Sequence, residues 1–126
     1  MGYSLGNRSL QKLQGVHPDL VAVVSRAIRI TNQDFSVIEG LRSKSRQREL
    51  VNSGASQTMN SRHLTGHAVD IVPYGVSDIW DWDYYWDIEE AMKTAAHELN
   101  VDLDWGGDWR SFKDGPHWEL SWNSYG

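Results

Sequence analysis

The chain has 126 residues, 40% hydrophobic and 23% charged, which fits a single soluble globular domain and excludes a disordered one. Its formal net charge of −5 argues against broad attraction to nucleic acid or to an anionic membrane. With no cysteine, disulfides and thiolate metal sites are ruled out, so any metal must be held by histidine and carboxylate.

The first fifteen residues are polar, carry Gly2, Gly6 and Gly15, and read as a loosely packed lead-in. His17-Pro18-Asp19 then starts a helix, because proline suits the first helical position and an aspartate complements the positive end of the dipole. Leu20, Val24, Ala27 and Ile28 share one helical face, Val23 widens it, and Thr31-Asn32 ends it. Phe35-Ser36-Val37-Ile38-Glu39 alternates as a strand that Gly40 stops. Ser43 or Ser45 caps a short helix through Arg46, Gln47, Leu50 and Val51, terminated by Gly54. Residues 55–62 form a polar loop delivering His63, and 68–72 read as a buried strand stopped by Pro73 and Gly75.

An acidic, aromatic stretch, Asp78-Ile79-Trp80-Asp81-Trp82-Asp83, leads into the best helix, where Tyr85, Ile88, Met92, Ala95 and Leu99 form one apolar face. Residues 101–103 are a short strand, Trp105-Gly106-Gly107-Asp108-Trp109 a glycine turn, and 117–122 a final strand. All seven tryptophans lie in the second half and are expected mostly to fill the core, with one or two lining a cleft. Strands and helices mix without a βαβ rhythm, so the fold class is α+β. No internal repeat, linker or low-complexity tract interrupts a single domain over residues 1–126.

The chemistry sits in two segments, Ser61-Arg62-His63-Leu64-Thr65-Gly66-His67-Ala68-Val69-Asp70 and Asp114-Gly115-Pro116-His117-Trp118-Glu119-Leu120. On the first strand Ala68, Asp70 and Val72 share a face, leaving Asp70 a lone carboxylate on an apolar element, costly unless it is paired or metal-bound. On the last strand His117, Glu119 and Ser121 share a face, while Trp118, Leu120 and Trp122 turn to the core. With His63 from the intervening loop, two imidazoles and a carboxylate can converge on one metal and leave a fourth position for water. Gly115-Pro116 forces a turn that brings Asp114 round to the open side as a candidate general acid/base. Glu119 is placed to receive an imidazole N–H and fix a tautomer. His67 faces away from Asp70; His17 reads as a helix-start residue and His97 as a solvent-side one. The acidic residues Asp78, Asp81, Asp83 and Asp87 could take calcium, but their spacing is not that of an EF-hand loop, and helix-start acidity explains Asp81 and Asp83 equally well.

Ser-x-His-x-x-Gly-x-Ala-x-Asp at 61–70 with Asp-x-x-His at 114–117 resembles the zinc peptidases of the D-Ala-D-Ala carboxypeptidase/VanY type. More closely it resembles the phage endolysins of that group, which cut L-alanyl-D-glutamate bonds in peptidoglycan. Gly15-Val16-His17-Pro18-Asp19-Leu20, Glu39-Gly40-Leu41-Arg42 with Gln47, and Trp105-Gly106-Gly107-Asp108-Trp109 look like stretches of the endolysin branch. The carboxypeptidases typically carry Glu where this chain has Asp114, which favours the endolysins. The resemblance implies a small hedgehog/DD-peptidase-like domain, an antiparallel sheet with flanking helices and one catalytic zinc. It also implies His63, Asp70 and His117 as ligands and Asp114 as acid/base. Arg42, Gln47 and Ser61 would contact substrate carboxylates and carbonyls, with Arg42 steadying the oxyanion. Bacterial peptidoglycan is the implied partner, and a monomer the expected state.

The first residues show no apolar run of a Sec-type signal, and a catalytic domain without a separate wall-binding domain is expected. The expectation is therefore synthesis in a host cytoplasm and action on the wall once the membrane is breached. Two rivals share the site: a D-Ala-D-Ala carboxypeptidase, and a non-catalytic zinc module as in hedgehog signalling domains. A non-haem iron oxygenase is set aside, because its first two ligands usually stand as His-x-Asp and its barrel needs more strands.

Overall fold

The computed structural model describes residues 2–56, 58–111 and 113–126. Met1 of the expected lead-in and Gln57 of the expected polar loop lie outside them. Four short alternating segments, β1 (Phe35–Glu39), β2 (Ala68–Pro73), β3 (Leu103–Trp105) and β4 (His117–Leu120), pair as one antiparallel sheet in the order β1-β2-β4-β3. The period-two pattern gives the sheet two faces. Val37, Val69, Ile71, Trp118 and Leu120 join the core on one, under α2 (Pro18–Ile30) and α4 (Tyr85–Leu99). Asp70 stands directly opposite His117 in the register, and Ala68 opposite Glu119, so these side chains share the other face.

The helices form for reasons visible in their ends. Pro18 opens α2, and the His17 imidazole accepts the Asp19 amide at 3.0 Å, so His17 is the helix-start residue expected. The α2 face of Leu20, Val23, Val24 and Ala27 is wholly excluded from solvent. Ser43 caps α3 (Lys44–Asn52) by accepting the Arg46 amide. Asn100, in the left-handed conformation at φ 57°, ends α4.

Several expectations need correction. The lead-in contains a helix, α1 (Asn7–Lys12), whose buried Ser9 accepts the Val37 amide at 3.0 Å and so covers the outer edge of β1. Tyr3 donates its amide to Ile28 at 3.1 Å, tying the preceding residues to α2. The third strand lies at 103–105, two residues beyond the expected one. The last strand ends at Leu120; Ser121 then caps a short α5 (Trp122–Tyr125), which leaves Trp122 exposed. Leu99, the last residue of α4, is also exposed, and Ala91 and Ala96 complete the buried face instead. Of the seven tryptophans, Trp105 and Trp118 are buried and stack at 5.4 Å, while the other five are exposed.

A candidate metal centre at the floor of a cleft

Three elements bring the expected ligands together. Asp70 comes from β2 and His117 from β4, the two central strands. His63 comes from a single 3-10 turn over Arg62–Thr65, which Ser61 caps by accepting the His63 amide. Gly66 closes that turn at φ 74°, and a Cβ there would meet the Gly15 carbonyl at 2.4 Å. One donor atom from each of His63, Asp70 and His117 lies within 4.8 Å of the others, and among the described residues this is the group of three or more that could hold a metal. Asp78, Asp81, Asp83 and Asp87 assemble no such group among those residues; Asp78 and Asp81 accept the amides of Trp80 and Asp83.

The distances fit a metal. Asp70 Oδ1 lies 3.3 Å from His63 Nε2 and 3.3 Å from His117 Nδ1. Ligand bonds of about 2.1 Å at the tetrahedral angle separate neighbouring donors by about 3.4 Å. Each ring's other nitrogen is tied: His63 Nδ1 to the Gly40 carbonyl at 2.9 Å, His117 Nε2 to Glu119 at 2.7 Å. With a metal on the inner nitrogens, those contacts would hold the hydrogen on the outer nitrogen of each ring. Gly40 can serve this way because it lacks a side chain: a Cβ would fall 2.0 Å from the Lys12 carbonyl.

Charge in the cluster is strongly coupled. Burial by itself would raise the Asp70 carboxyl, but hydrogen bonds and charge from His117 and His63 bring it well below the usual carboxylate range. Burial works against a charged His117 ring, yet Asp70 and Glu119 outweigh it and push the group up to about 9. Half-buried Asp114 moves upward, first through burial and then through the negative charge of Asp70. The turn that carries Asp114 depends on Gly106, where a Cβ would meet the Asp114 carbonyl at 2.4 Å. The Asp114 amide donates to Gly106 O at 3.0 Å and its carbonyl accepts the His117 amide at 3.2 Å.

The cluster floors a cleft of about 560 Å³, lined also by Glu39, Arg42, Ser61, Asp114 and Glu119. Arg42 is buried and fixed: Nε donates to Glu39 at 2.9 Å, Nη1 to Gln47 at 2.6 Å, and Nη2 stands 3.6 Å from Asp70. Gln47 is 0% exposed and spends its amide nitrogen on Ser56 and Thr58, so it faces Arg42 rather than the cleft. Residues that sequence reasoning missed are Lys113 and Arg62, with Trp109 and Trp122 as the lining tryptophans. Lys113 adjoins Asp114 and Arg62 adjoins His63, so proximity to the motifs was the available signal. His67 lies away from the cluster, 2.7 Å from the Thr65 hydroxyl, and His97 is exposed.

Sheet, cleft and His–Asp–His group together define the class, a small α+β domain with, among the described residues, one candidate metal site. The chain belongs to the phage L-alanyl-D-glutamate peptidase family, whose model matches residues 1–121. It is 31% identical over 119 residues to the L-alanyl-D-glutamate peptidase of Escherichia phage T5, covering 90% of this chain and 87% of that protein. It is 40% identical over 90 residues to the L-alanyl-D-glutamate peptidase of Listeria phage A118, 71% of this chain but 31% of the longer protein. Among solved structures, the L-Ala D-Glu endopeptidase ChiX of Serratia marcescens superposes with a TM-score of 0.87 at 51% identity, covering 94% of this chain and 90% of that one.

Proposed function

We propose that the protein is a monomeric zinc-dependent endopeptidase that hydrolyses the L-Ala-D-Glu bond in the peptide stems of bacterial peptidoglycan. It would act on the cell wall after the membrane is permeabilised and so lyse the cell. The observation that carries this reading is the pair of 3.3 Å separations from Asp70 to two imidazoles whose outer nitrogens are both tied. Family membership supports the choice of bond, and the donor set of two imidazoles and one carboxylate, without thiolate, suits zinc.

Bound by His63, Asp70 and His117, zinc would polarise the scissile carbonyl and lower the pKa of a coordinated water to about 7. The residues around it handle protons and charge. Asp114, on the turn before His117, takes the proton of the attacking water and delivers it to the departing D-glutamate nitrogen as the C–N bond breaks. Arg42 has Nε on Glu39 and Nη1 on Gln47, and Nη2, beside Asp70, is the edge that meets the carbonyl oxygen as charge builds there. Gln47 acts through Arg42 rather than on substrate. Ser61 lends its oxygen to the His63 amide and keeps its hydroxyl hydrogen for a substrate carbonyl.

Digestion of purified peptidoglycan with and without a chelator, read by mass spectrometry, tests the reading. The expected product is a new N-terminal D-glutamate (or its amide) that the chelator suppresses. Free D-alanine alone would assign the site to a carboxypeptidase, and tight zinc binding without cleavage to a non-catalytic module.

A further inference from the structure

The acidic, aromatic stretch before α4 and the first turn of that helix are not used by the metal site, yet they put indoles on the surface. Trp82 and Trp86 are 38% and 50% exposed, their rings are 5.7 Å apart and tilted by only 30°, and both lean edge-on against buried Trp105. Neighbouring exposed indoles held in fixed orientation form a patch of the kind that marks a binding surface. Its position is specific. A Cβ placed on Gly115 would lie 3.5 Å from the Trp82 ring, so the patch begins against the residue next to Asp114, outside the residues that line the cleft.

The chemistry of the substrate says what belongs there. In peptidoglycan the L-alanine nitrogen is acylated by the lactyl group of muramic acid, so one residue and one short acyl spacer separate the scissile bond from the sugar. Two such units span about 7 Å when extended. A sugar must therefore sit just outside the cleft whenever the L-Ala-D-Glu bond sits within it. Flat apolar indole faces suit the C–H faces of pyranose rings. Asp81, Asp83 and Asp87 interleave with the indoles and offer acceptors to hydroxyl and N-acetyl N–H donors, while their charge disfavours an anionic lipid surface.

We propose that Trp82 and Trp86 form a platform for the glycan strand, seating the N-acetylated sugars that bear the stem being cut. The inference rests on the L-Ala-D-Glu peptidase reading. It makes the enzyme a reader of sugar as well as of peptide, so a stem still attached to its disaccharide is the better substrate.

The test uses the zinc-loaded protein with two substrates, the free stem peptide and the same peptide carrying its N-acetylglucosaminyl-N-acetylmuramyl disaccharide. Trp86→Ala and Trp82→Leu are each expected to lower kcat/KM for the disaccharide-peptide about tenfold more than for the free peptide, the size of one good stacking contact. Equal losses on both substrates would overturn the platform and leave the indoles a structural role. Trp82 packs on Trp105, so a binding measurement on the unaltered protein accompanies the variants. The peptide-free disaccharide is titrated while the indole N–H resonances are followed by NMR. Selective shifts of Trp82 and Trp86 are expected, and unmoved signals at millimolar sugar would overturn the proposal. So would shifts that follow protein concentration without sugar, which would assign the patch to a second copy of the chain. A wild-type protein that cleaves neither substrate would sink the peptidase reading, and the sugar titration would still decide the platform.

Discussion

Arg42 brings a positive charge to the cleft, and its neighbours decide how a substrate meets it. Glu39 and Gln47 fix two edges of the guanidinium, a geometry an ammonium cannot reproduce. Arg42→Lys is expected to keep the fold and the metal and to lower kcat by about 10²-fold, the scale of losing one oxyanion donor; unchanged kcat would remove Arg42 from catalysis. Asp114→Asn is expected to retain stoichiometric zinc by elemental analysis and lose 10²- to 10⁴-fold in turnover, roughly what a general acid/base contributes. His63→Ala should lose both zinc and turnover. His117 makes a pH statement about the metal-free protein. Its folded value of about 9 lies above the ordinary 6.5, so its contribution to stability is complete below pH 6.5 and is lost as pH rises through 9. Thermal melts of the metal-free protein should therefore fall between pH 7 and 9.5, and His117→Gln should flatten that slope. At this scale the convergence of His63, Asp70 and His117 was legible, because two spaced motifs name them. The burial of Gln47 was not, since it depends on a loop that folds back through Ser56 and Thr58.

Among elements, periodicity served where it was long. The helices at 18–30 and 85–99 and the strands at 35–39 and 68–73 carry enough apolar positions to show their faces. The short ones were decided by tertiary contacts. Helix α1 has six residues and only Ser9 buried, so nothing in its pattern separates it from a loop. Past Leu120 the alternation continues through Trp122, but Ser121 accepts the Asn123 amide and turns the chain into α5. The tryptophans misled for a related reason: hydrophobicity alone does not say whether an indole faces the core or a ligand. Ser9→Ala tests how firmly α1 belongs to the sheet. It leaves the Val37 amide buried without a partner, a loss of about 1–3 kcal/mol by urea unfolding. No change would mean that α1 only drapes over β1.

For the whole molecule, the cleft face and the core face of one sheet divide function from stability. A metal that clamps the 3-10 turn to β2 and β4 binds the folded state alone, so it must raise the melting temperature. At a free concentration one hundred times its Kd the gain is about 2.7 kcal/mol. Chelation should lower the melting temperature by the corresponding amount, and calorimetry before and after zinc reloading would show it. That the fold could be read as α+β follows from its mix of strands and helices without a βαβ rhythm, and the place of the site from the spacing of its two motifs. How the strands order themselves does not, because β4 inserts between β2 and β3 through pairings that no local pattern announces.

The unequal seating of the three candidate ligands has a kinetic consequence. Asp70 and His117 face each other across the two innermost strands, so neither can withdraw without tearing the sheet. His63 rides on one turn of 3-10 helix, held by the Ser61 cap, the Gly40 carbonyl and the Arg42 amide on its own carbonyl at 2.9 Å. Ion exchange should then proceed by the swing of that single turn. Its rate would be set by a local opening far cheaper than unfolding, and Ser61→Ala should hasten zinc loss to a chelator while leaving the global melt nearly in place.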